Sequence, residues 1–337
     1  MRNLIKKAFA FLISANLAGN AGAQIDAHFS QYYGYPAWLN PALTGTFDGE
    51  YRVSTIYRSQ WAGIGNGFKT VGAAAEINTN KDVSFGVSVF RQTAGTGGYH
   101  NTSGYGNLSY SGMRFGKNGY QRVVLGMQAG LLSKGFDRNK VTFEDGYDPI
   151  TGIEIPNGSI DPVLFNKLNM NSFDAALGAL YFDADPTKKA NVYAGFSASH
   201  VTRPNDFFSG GEGAKLPMRF NAHAGVRIKV SEIFSVTPNF LYIKQGTADA
   251  KVASAYAQLK ATPEVDLLIG GNYRFQDAIV PYVGLYYKNM VIGASYDITT
   301  SDLSKAAGRA NAFEISLTFT GKRKVKGSEQ EFVCPRL

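Results

Sequence analysis

The feature that most constrains the fold is a period of two in hydrophobicity that recurs along most of the chain. In RFNAHAGVRIKV (219–230), Phe220, Ala222, Ala224, Val226, Ile228 and Val230 are apolar. Arg219, Asn221, His223, Gly225, Arg227 and Lys229 lie between them. In ANAFEISLTFT, Phe313, Ile315, Leu317 and Phe319 alternate with Ala312, Glu314, Ser316 and Thr318; in DVSFGVSVF, Val83, Phe85, Val87 and Val89 alternate with Ser84, Gly86 and Ser88. Successive side chains of a strand point to opposite faces, so each segment has one greasy and one polar face. Fourteen such segments are predicted, at 49–59, 67–78, 82–93, 99–111, 121–134, 171–182, 190–201, 219–230, 233–244, 251–261, 265–275, 279–288, 290–298 and 310–320. Each is long enough to cross a bilayer as a tilted strand, which takes about 9–11 residues. No apolar stretch after the N-terminus reaches the length of a membrane-spanning helix.

Alternation alone also fits a soluble β-sandwich, which buries its apolar face and wets the other. Four features favour a transmembrane antiparallel β-barrel of about 14 strands, in an all-β chain. The count is even, as in bacterial outer-membrane barrels. Short connections (78–82, 231–233, 262–264, 288–289) follow even-numbered segments, and long ones (about 135–170, 202–218, 299–309) follow odd-numbered segments. That is the asymmetry of short periplasmic turns and long outer loops, and it places both termini in the periplasm. Two even-numbered turns, 112–120 and 183–189, are longer than the pattern asks. Aromatic residues near segment ends (Tyr51, Tyr57, Phe182, Phe234, Tyr242, Tyr286, Tyr287) read as interfacial girdles, and mid-strand charges (Glu76, Asp174, Arg227, Glu314) read as the wall of a water-filled lumen.

The first 23 residues read as a signal peptide: a basic MRNLIKK, an apolar run of about a dozen residues, and Ala21-Gly22-Ala23 as the cleavage site, leaving Gln24 as the new N-terminus. The run is too short for a span of about 20 residues, and no Cys follows it to take a lipid. Cleavage removes Arg2, Lys6 and Lys7 and no acid, so the mature chain is less basic than the full chain at +8. What remains basic is spread out except for GKRKVKG at 321–327, and behind an export signal nucleic acid is not an expected partner. Charged residues are 18% of the chain, below the roughly 25% of soluble domains. The one cysteine, Cys334, has no partner within the chain for a disulfide.

No constellation for chemistry stands out, and no metal or cofactor is expected. His28, His100, His200 and His223 form no pair at metal-ligand spacing and have no Cys to join them; each reads as a polar lumen or turn residue. GIGNG (63–67) lacks the context of a phosphate loop. EDGYDPITG (144–152) reads as an ordinary acidic outer loop before it reads as a weak calcium site. No G-x-S-x-G elbow is present, and serines near His200 and His223 are what this composition gives by chance. Nothing in the residues argues for an enzyme.

One stretch breaks the pattern. HFSQYYGYPAWLNPALTG (28–45) carries five aromatics, two prolines and one asparagine with neither helical nor strand period. Pro36 and Pro41 forbid a regular ladder, and Tyr35 and Asn40 before them are pushed toward extended conformations. This block, with YRSQW about a dozen residues on, resembles the PorP/SprF family of outer-membrane proteins associated with the type IX secretion system of the Bacteroidetes. SHVTRPNDFF (199–208), SYDITTSDLSKAAGRANAFEISLTF (295–319) and the terminal CPRL (334–337) extend the resemblance over nearly the whole mature chain. It implies a single outer-membrane barrel that helps deliver or anchor a secreted surface protein such as a gliding adhesin. It also implies type IX secretion components as partners and, for some members, a periplasmic peptidoglycan-binding lipoprotein. The family has no well-marked catalytic residues. The motif positions carried over are His28, Phe29, Ser30, Gln31, Tyr33, Pro36, Asn40, Pro41, Gly45, Arg58, Gln60 and Trp61, with Cys334, Pro335 and Arg336 as candidate contacts at the end of the chain.

The expected organisation is a signal peptide (1–23), an irregular segment (24–48), a barrel (49–320) set in outer-membrane lipid, and a basic periplasmic tail (321–337). The irregular segment is expected to fold into the periplasmic mouth or lumen and partly plug it, with Tyr32, Tyr33, Tyr35 and Trp38 filling space and Gln31 and Asn40 hydrogen-bonding lumen groups. The rival role is a docking strip for a periplasmic partner. The 135–170 connection is the expected outer contact, and 322–337 the expected periplasmic one. A passive porin and an outer-membrane lipase or protease are the competing functions.

Overall fold

A computed structural model describes residues 26–63, 66–79, 81–137, 140, 169–206, 208, 213–301 and 310–321. Residues 1–25, where the signal peptide is expected, the tail beyond Gly321, residues 302–309 and most of the 135–170 connection lie outside the described residues. The strands are β1 (Tyr51–Gln60), β2 (Phe68–Asn78), β3 (Val83–Ala94), β4 (Tyr99–Phe115), β5 (Gln121–Gly135), β6 (Asn169–Asp183), β7 (Ala190–Ser199), β8 (Arg219–Lys229), β9 (Phe234–Gln245), β10 (Ala248–Thr262), β11 (Val265–Arg274), β12 (Ala278–Tyr287), β13 (Met290–Thr299) and β14 (Ala312–Gly321). Each pairs antiparallel with its sequence neighbours, and β14 pairs with β1 to close the ring. Closure leaves no edge, so the strand backbones are satisfied without water, which is what hydrocarbon requires.

Fourteen strands form where the alternation places them, with ends displaced by a few residues. The largest displacement is β4, which runs on to Phe115 past an irregularity in its ladder with β5 between Tyr110 and Met113. The connection after it is therefore 116–120 rather than 112–120. The even-numbered connections are then all short (79–82, 116–120, 184–189, 230–233, 263–264, 288–289). The long ones (136–168, 200–218, 300–311) all lie at the opposite end, with 61–67, 95–98, 246–247 and 275–277 as shorter members of that end. By the ordinary asymmetry of such barrels the even-numbered end faces the periplasm.

The greasy face points outward. Val87 is 60% exposed, and Phe85, Val89, Ile269 and Val283 are comparably bare, while Ser84 and Ser88 between the β3 residues are buried. Two of the aromatics read as girdle residues face inward instead: Phe182 is buried against the interior and Tyr286 is half-buried on the inner face of β12. Strand parity decides this, since Phe182 shares a face with Asp174, Ala176 and Leu180. Among the described residues no helix is long and apolar enough to cross a membrane; the strands do the crossing.

An arginine placed on the outer face at mid-strand has no route to water. Val87→Arg is expected to destabilise the barrel by roughly 2–4 kcal/mol, read from denaturant unfolding in lipid vesicles.

Candidate functional site: the plugged lumen

Residues 26–47 run inside the barrel and are almost entirely buried. Local sequence explains their irregular path. Pro36 and Pro41 each open a single helical turn, at Pro36–Leu39 and Pro41–Leu43, because proline fits the first helical position, where its missing N–H costs nothing. Asn40 between them is extended, and its Oδ1 accepts from the Ala42 amide at 2.9 Å. The segment's aromatic rings build the apolar core of the molecule. Phe29 stands edge-on to Tyr35 and Trp38 at 5.7 Å from each, and Tyr33 packs on Tyr256 and Tyr282, whose rings line the inner wall. Ile56, Leu180, Leu241 and Ile243 join them from the strands. Burying such a side chain stabilises by about 1.5–3 kcal/mol. The wall is also cut to receive the segment: a Cβ added at Gly126 would strike the Ala42 backbone, and one at Gly178 would strike the Asn40 side chain.

Four polar anchors hold the segment along the lumen. The first lies at the seam of the ring. Arg58 of β1 and Glu314 of β14 are directly opposite in the closing ladder and form an ion pair. Arg58 also reaches Asp297 at 2.9 Å, as does Arg274. Into this cluster the segment inserts the Ser30 and Gln31 amides, which donate to the two oxygens of Glu314 at 2.7 and 2.8 Å. The Gln31 side chain donates to Ser295 and accepts from Ser316. The second anchor holds Asp26. Its amide donates to Gln245 at 2.8 Å, and its carboxylate faces His200 Nε2 at 2.6 Å and Arg219 at 3.4 Å. His200 Nδ1 meets Asp174 at 2.7 Å, and the Tyr105 hydroxyl donates to that same carboxylate. The third is nearer the periplasm. Asn40 donates to the Ala179 carbonyl at 3.0 Å, and Ser197 and Asn221 both donate to the Leu39 carbonyl at 2.8 Å. Below it, Glu76 accepts from the Gly45 amide at 3.0 Å and pairs with Arg52 at 2.8 Å.

The anchors give the segment a direction. Gln245, Ser199, Arg219 and Arg274 lie at or next to the outer ends of their strands, whereas Glu76 and Arg52 lie near periplasmic ends. The described part of the segment therefore runs from high in the lumen at Asp26 down through it to enter β1 from the periplasmic side. It fills the barrel along its length and does not stop at the periplasmic mouth.

Of the motif positions, His28, Phe29, Ser30, Gln31, Tyr33, Pro36, Asn40, Pro41 and Gly45 all lie in this segment, and Arg58 is its principal anchor. Gln60 lies beside Arg58, accepting from its Nε at 3.2 Å. Trp61 stands apart. It has a left-handed backbone (φ 57°) at the start of the 61–67 connection and packs on Phe68. Cys334, Pro335 and Arg336 lie outside the described residues. The mid-strand charges read as lining water have a different role where they meet the segment: Glu76, Asp174 and Glu314 are buried and bound into the anchors. Asp26, Asp297, Arg274 and Gln245 carried no signal of their own; only their inward strand parity, or for Asp26 its place beside the motif, marks them. Among the described residues no cluster of metal-ligating side chains occurs.

A closed fourteen-stranded ring with a greasy exterior and an interior packed by its own N-terminal chain defines a plugged outer-membrane β-barrel. The chain belongs to the PorP/SprF family, the type IX secretion system membrane proteins, whose profile matches residues 21–319. Among solved structures it is similar to the toluene transporter TbuX of Ralstonia pickettii, at 10% identity and a TM-score of 0.47 over 89% of this chain and 94% of that one. It is also similar to the monoaromatic hydrocarbon channel CymD, at 12%, 0.46, 90% and 96%, and to a Pseudomonas aeruginosa FadL homologue, at 12%, 0.44, 89% and 99%. At that distance the likeness says nothing about cargo. No curated protein gives a significant match.

Removing one partner of a buried charge cluster leaves the others uncompensated. Arg58→Ala strands Glu314 and is expected to cost about 3–5 kcal/mol, seen as a lower denaturant midpoint in detergent, whereas exposed Arg114, paired with Asp82, should cost under about 1 kcal/mol.

His200, just beyond β7, gives the Asp26 anchor a pH dependence. Burial pushes its imidazolium down, but the Asp26 and Asp174 carboxylates outweigh burial and raise its pKa from 6.5 to about 9. A raised folded-state pKa contributes stability that is fully present below 6.5 and is lost as pH rises through about 9. Protease access to the 26–31 stretch is therefore expected to increase between pH 7 and pH 10, and to be flat over that range in His200→Gln.

Proposed function

We propose that this protein is a non-enzymatic component of type IX secretion that delivers or anchors an exported surface protein, such as a gliding adhesin, at the outer membrane. The observation that carries the reading is the filled lumen. A passive porin needs a continuous aqueous path, and here that path holds Tyr33, Trp38, Leu39 and Leu43, all buried. Anchors at both ends and a wall without Cβ atoms at Gly126 and Gly178 favour a permanent plug over a swinging gate. A barrel that passes nothing is suited to hold partners on its two faces. The outer face, with the long odd-numbered connections, suits the exported protein, since loops carry recognition more often than scaffolds do. The periplasmic face, with the tail, suits secretion components or a peptidoglycan-binding lipoprotein. The same lumen supports a plug role for the motif residues His28 to Gly45 in preference to a docking strip, because buried residues cannot present themselves to a partner.

Deletion of 24–48 is expected to raise the ion conductance of reconstituted protein from near baseline, while a gene deletion is expected to remove one surface protein that then copurifies with the tagged wild type. An open wild-type channel, or an unchanged surface proteome, would return the porin.

A further inference from the structure

On the lipid-facing side of β2 and β3 the apolar run ends in two cations. Along the outward face of β3, Val83, Phe85, Val87 and Val89 are followed by Arg91; along that of β2, Ile77, Ala75, Ala73 and Val71 are followed by Lys69. Both cations are exposed. In the β2–β3 ladder Val71 stands opposite Arg91 and Lys69 opposite Thr93, so the cations are diagonal neighbours on one face. Such neighbours lie about 7–8 Å apart, within reach of long side chains. The flanking strands extend the polar margin: Ser59 of β1 is across from Lys69, and His100 of β4 is across from Thr93.

Their height is that of lipid headgroups. Arg91 lies eight residues past Val83, which at about 3.4 Å per residue and a strand tilt of about 40° is roughly 20 Å along the barrel axis. The apolar band of such barrels is about 25 Å tall. Arg91 therefore stands just inside the outer edge of the band, and Lys69, one pair further, stands close to that edge. Tyr57, across from Val71, takes the girdle position beside them.

Neither cation has an ion-pair or hydrogen-bond partner among the described residues. Glu76 is the one acid in β1 to β4, and it is buried on the inner face; the connections 61–67 and 95–98 contain no charged residue. By contrast, exposed Arg114, Lys229, Lys251 and Lys288 have carboxylates at 2.5, 2.9, 3.9 and 3.6 Å. Lys69 and Arg91 thus hold two uncompensated positive charges where the wall meets the outer leaflet.

We propose that the outer end of β2 and β3 is a docking surface for a phosphorylated lipid of the outer leaflet, its headgroup phosphate held between Arg91 and Lys69. The guanidinium fork matches two phosphoryl oxygens, and the ammonium adds a point charge on the same group. The acyl chains lie along Val71, Val87 and Val89 below. A lipid is favoured over a dissolved anion because both cations point out of the barrel at bilayer depth, where a phosphate anchored by acyl chains is already in place. The contact needs only the barrel and does not rest on the secretion reading.

The test is native mass spectrometry of the full mature protein in detergent, titrated with lipid A, with lipid A stripped of its phosphates, and with inorganic phosphate. Each cation is expected to contribute about fivefold in affinity, the equivalent of about 1 kcal/mol per basic residue at a charged membrane surface. Wild type should therefore prefer the phosphorylated lipid by about 25-fold. Lys69→Gln and Arg91→Gln should each lose about fivefold of that preference, and the double variant all of it. Lys244→Gln with Lys251→Gln, which removes two charges from the outer ends of β9 and β10, should leave it unchanged. Heat-modifiable gel mobility shows that each variant folds, and the comparison of the two lipids on wild type needs no variant. Equal binding of the two lipids, or undiminished preference in the folded double variant, would overturn the site. Equal loss in the β9–β10 control would overturn it too, by showing diffuse surface charge. Displacement of the lipid by inorganic phosphate, beyond the effect of chloride at equal ionic strength, would overturn the lipid as occupant.

Discussion

A strand that shows one face to hydrocarbon must show the other to the lumen, and the lumen here holds residues 26–47. That constraint governs the rest of the structure. Alternation aims serines, asparagines, glutamines and charged residues inward from fourteen strands, and a buried polar group without a partner costs about as much as a lost hydrogen bond. Residues 26–47 meet both needs at once. Their rings cover the inward apolar residues Ile56, Leu180 and Leu241, and their amides and carbonyls pair with Glu314, Glu76, Ser197 and Asn221. The molecule is therefore apolar on two surfaces, one facing lipid and one facing its own N-terminal chain.

Much of this was legible in the residues, and the limits have physical causes. Strand number and the pattern of short and long connections follow from local periodicity, which needs no knowledge of partners. The segment 28–45 announced itself by breaking that period while keeping its aromatic content, so apolar surface without regular structure pointed to packing against protein. Inward charges were visible at Glu76, Asp174 and Glu314, but a charged residue facing water and one facing a buried amide read alike in a single strand. Phe182 misled for the same reason. Position near a strand end suggested an interfacial ring, and only parity with Asp174 and Leu180 shows that it faces inward. The Asp26–His200–Asp174 chain joins three distant parts of the sequence and left no mark in any of them.

The direction of the plug bears on what each face can do. Because Asp26 is held among the outer ends of β7 to β9 and Gly45 near the periplasmic end, the segment occupies the whole depth of the barrel. Both faces then stand over a filled lumen. Such an arrangement suits the anchoring role proposed above better than it suits a passage for solutes.

The seam shows how tightly plug and barrel are coupled. Arg58 and Glu314 belong to the first and last strands, and they are neighbours only when the ring is closed. Glu314 is fully buried, so leaving its carboxylate without Arg58 and the two plug amides would be costly. Asp297, one strand further round, is satisfied by Arg58, Arg274 and the Ser30 hydroxyl together. No subset of β1, β13, β14 and residues 30–31 compensates these charges alone. Ring closure and docking of the N-terminal segment therefore reinforce each other: without the plug these carboxylates would lose the Ser30 and Gln31 donors and face lumen water, and a plug without the closed barrel would have nothing to fill.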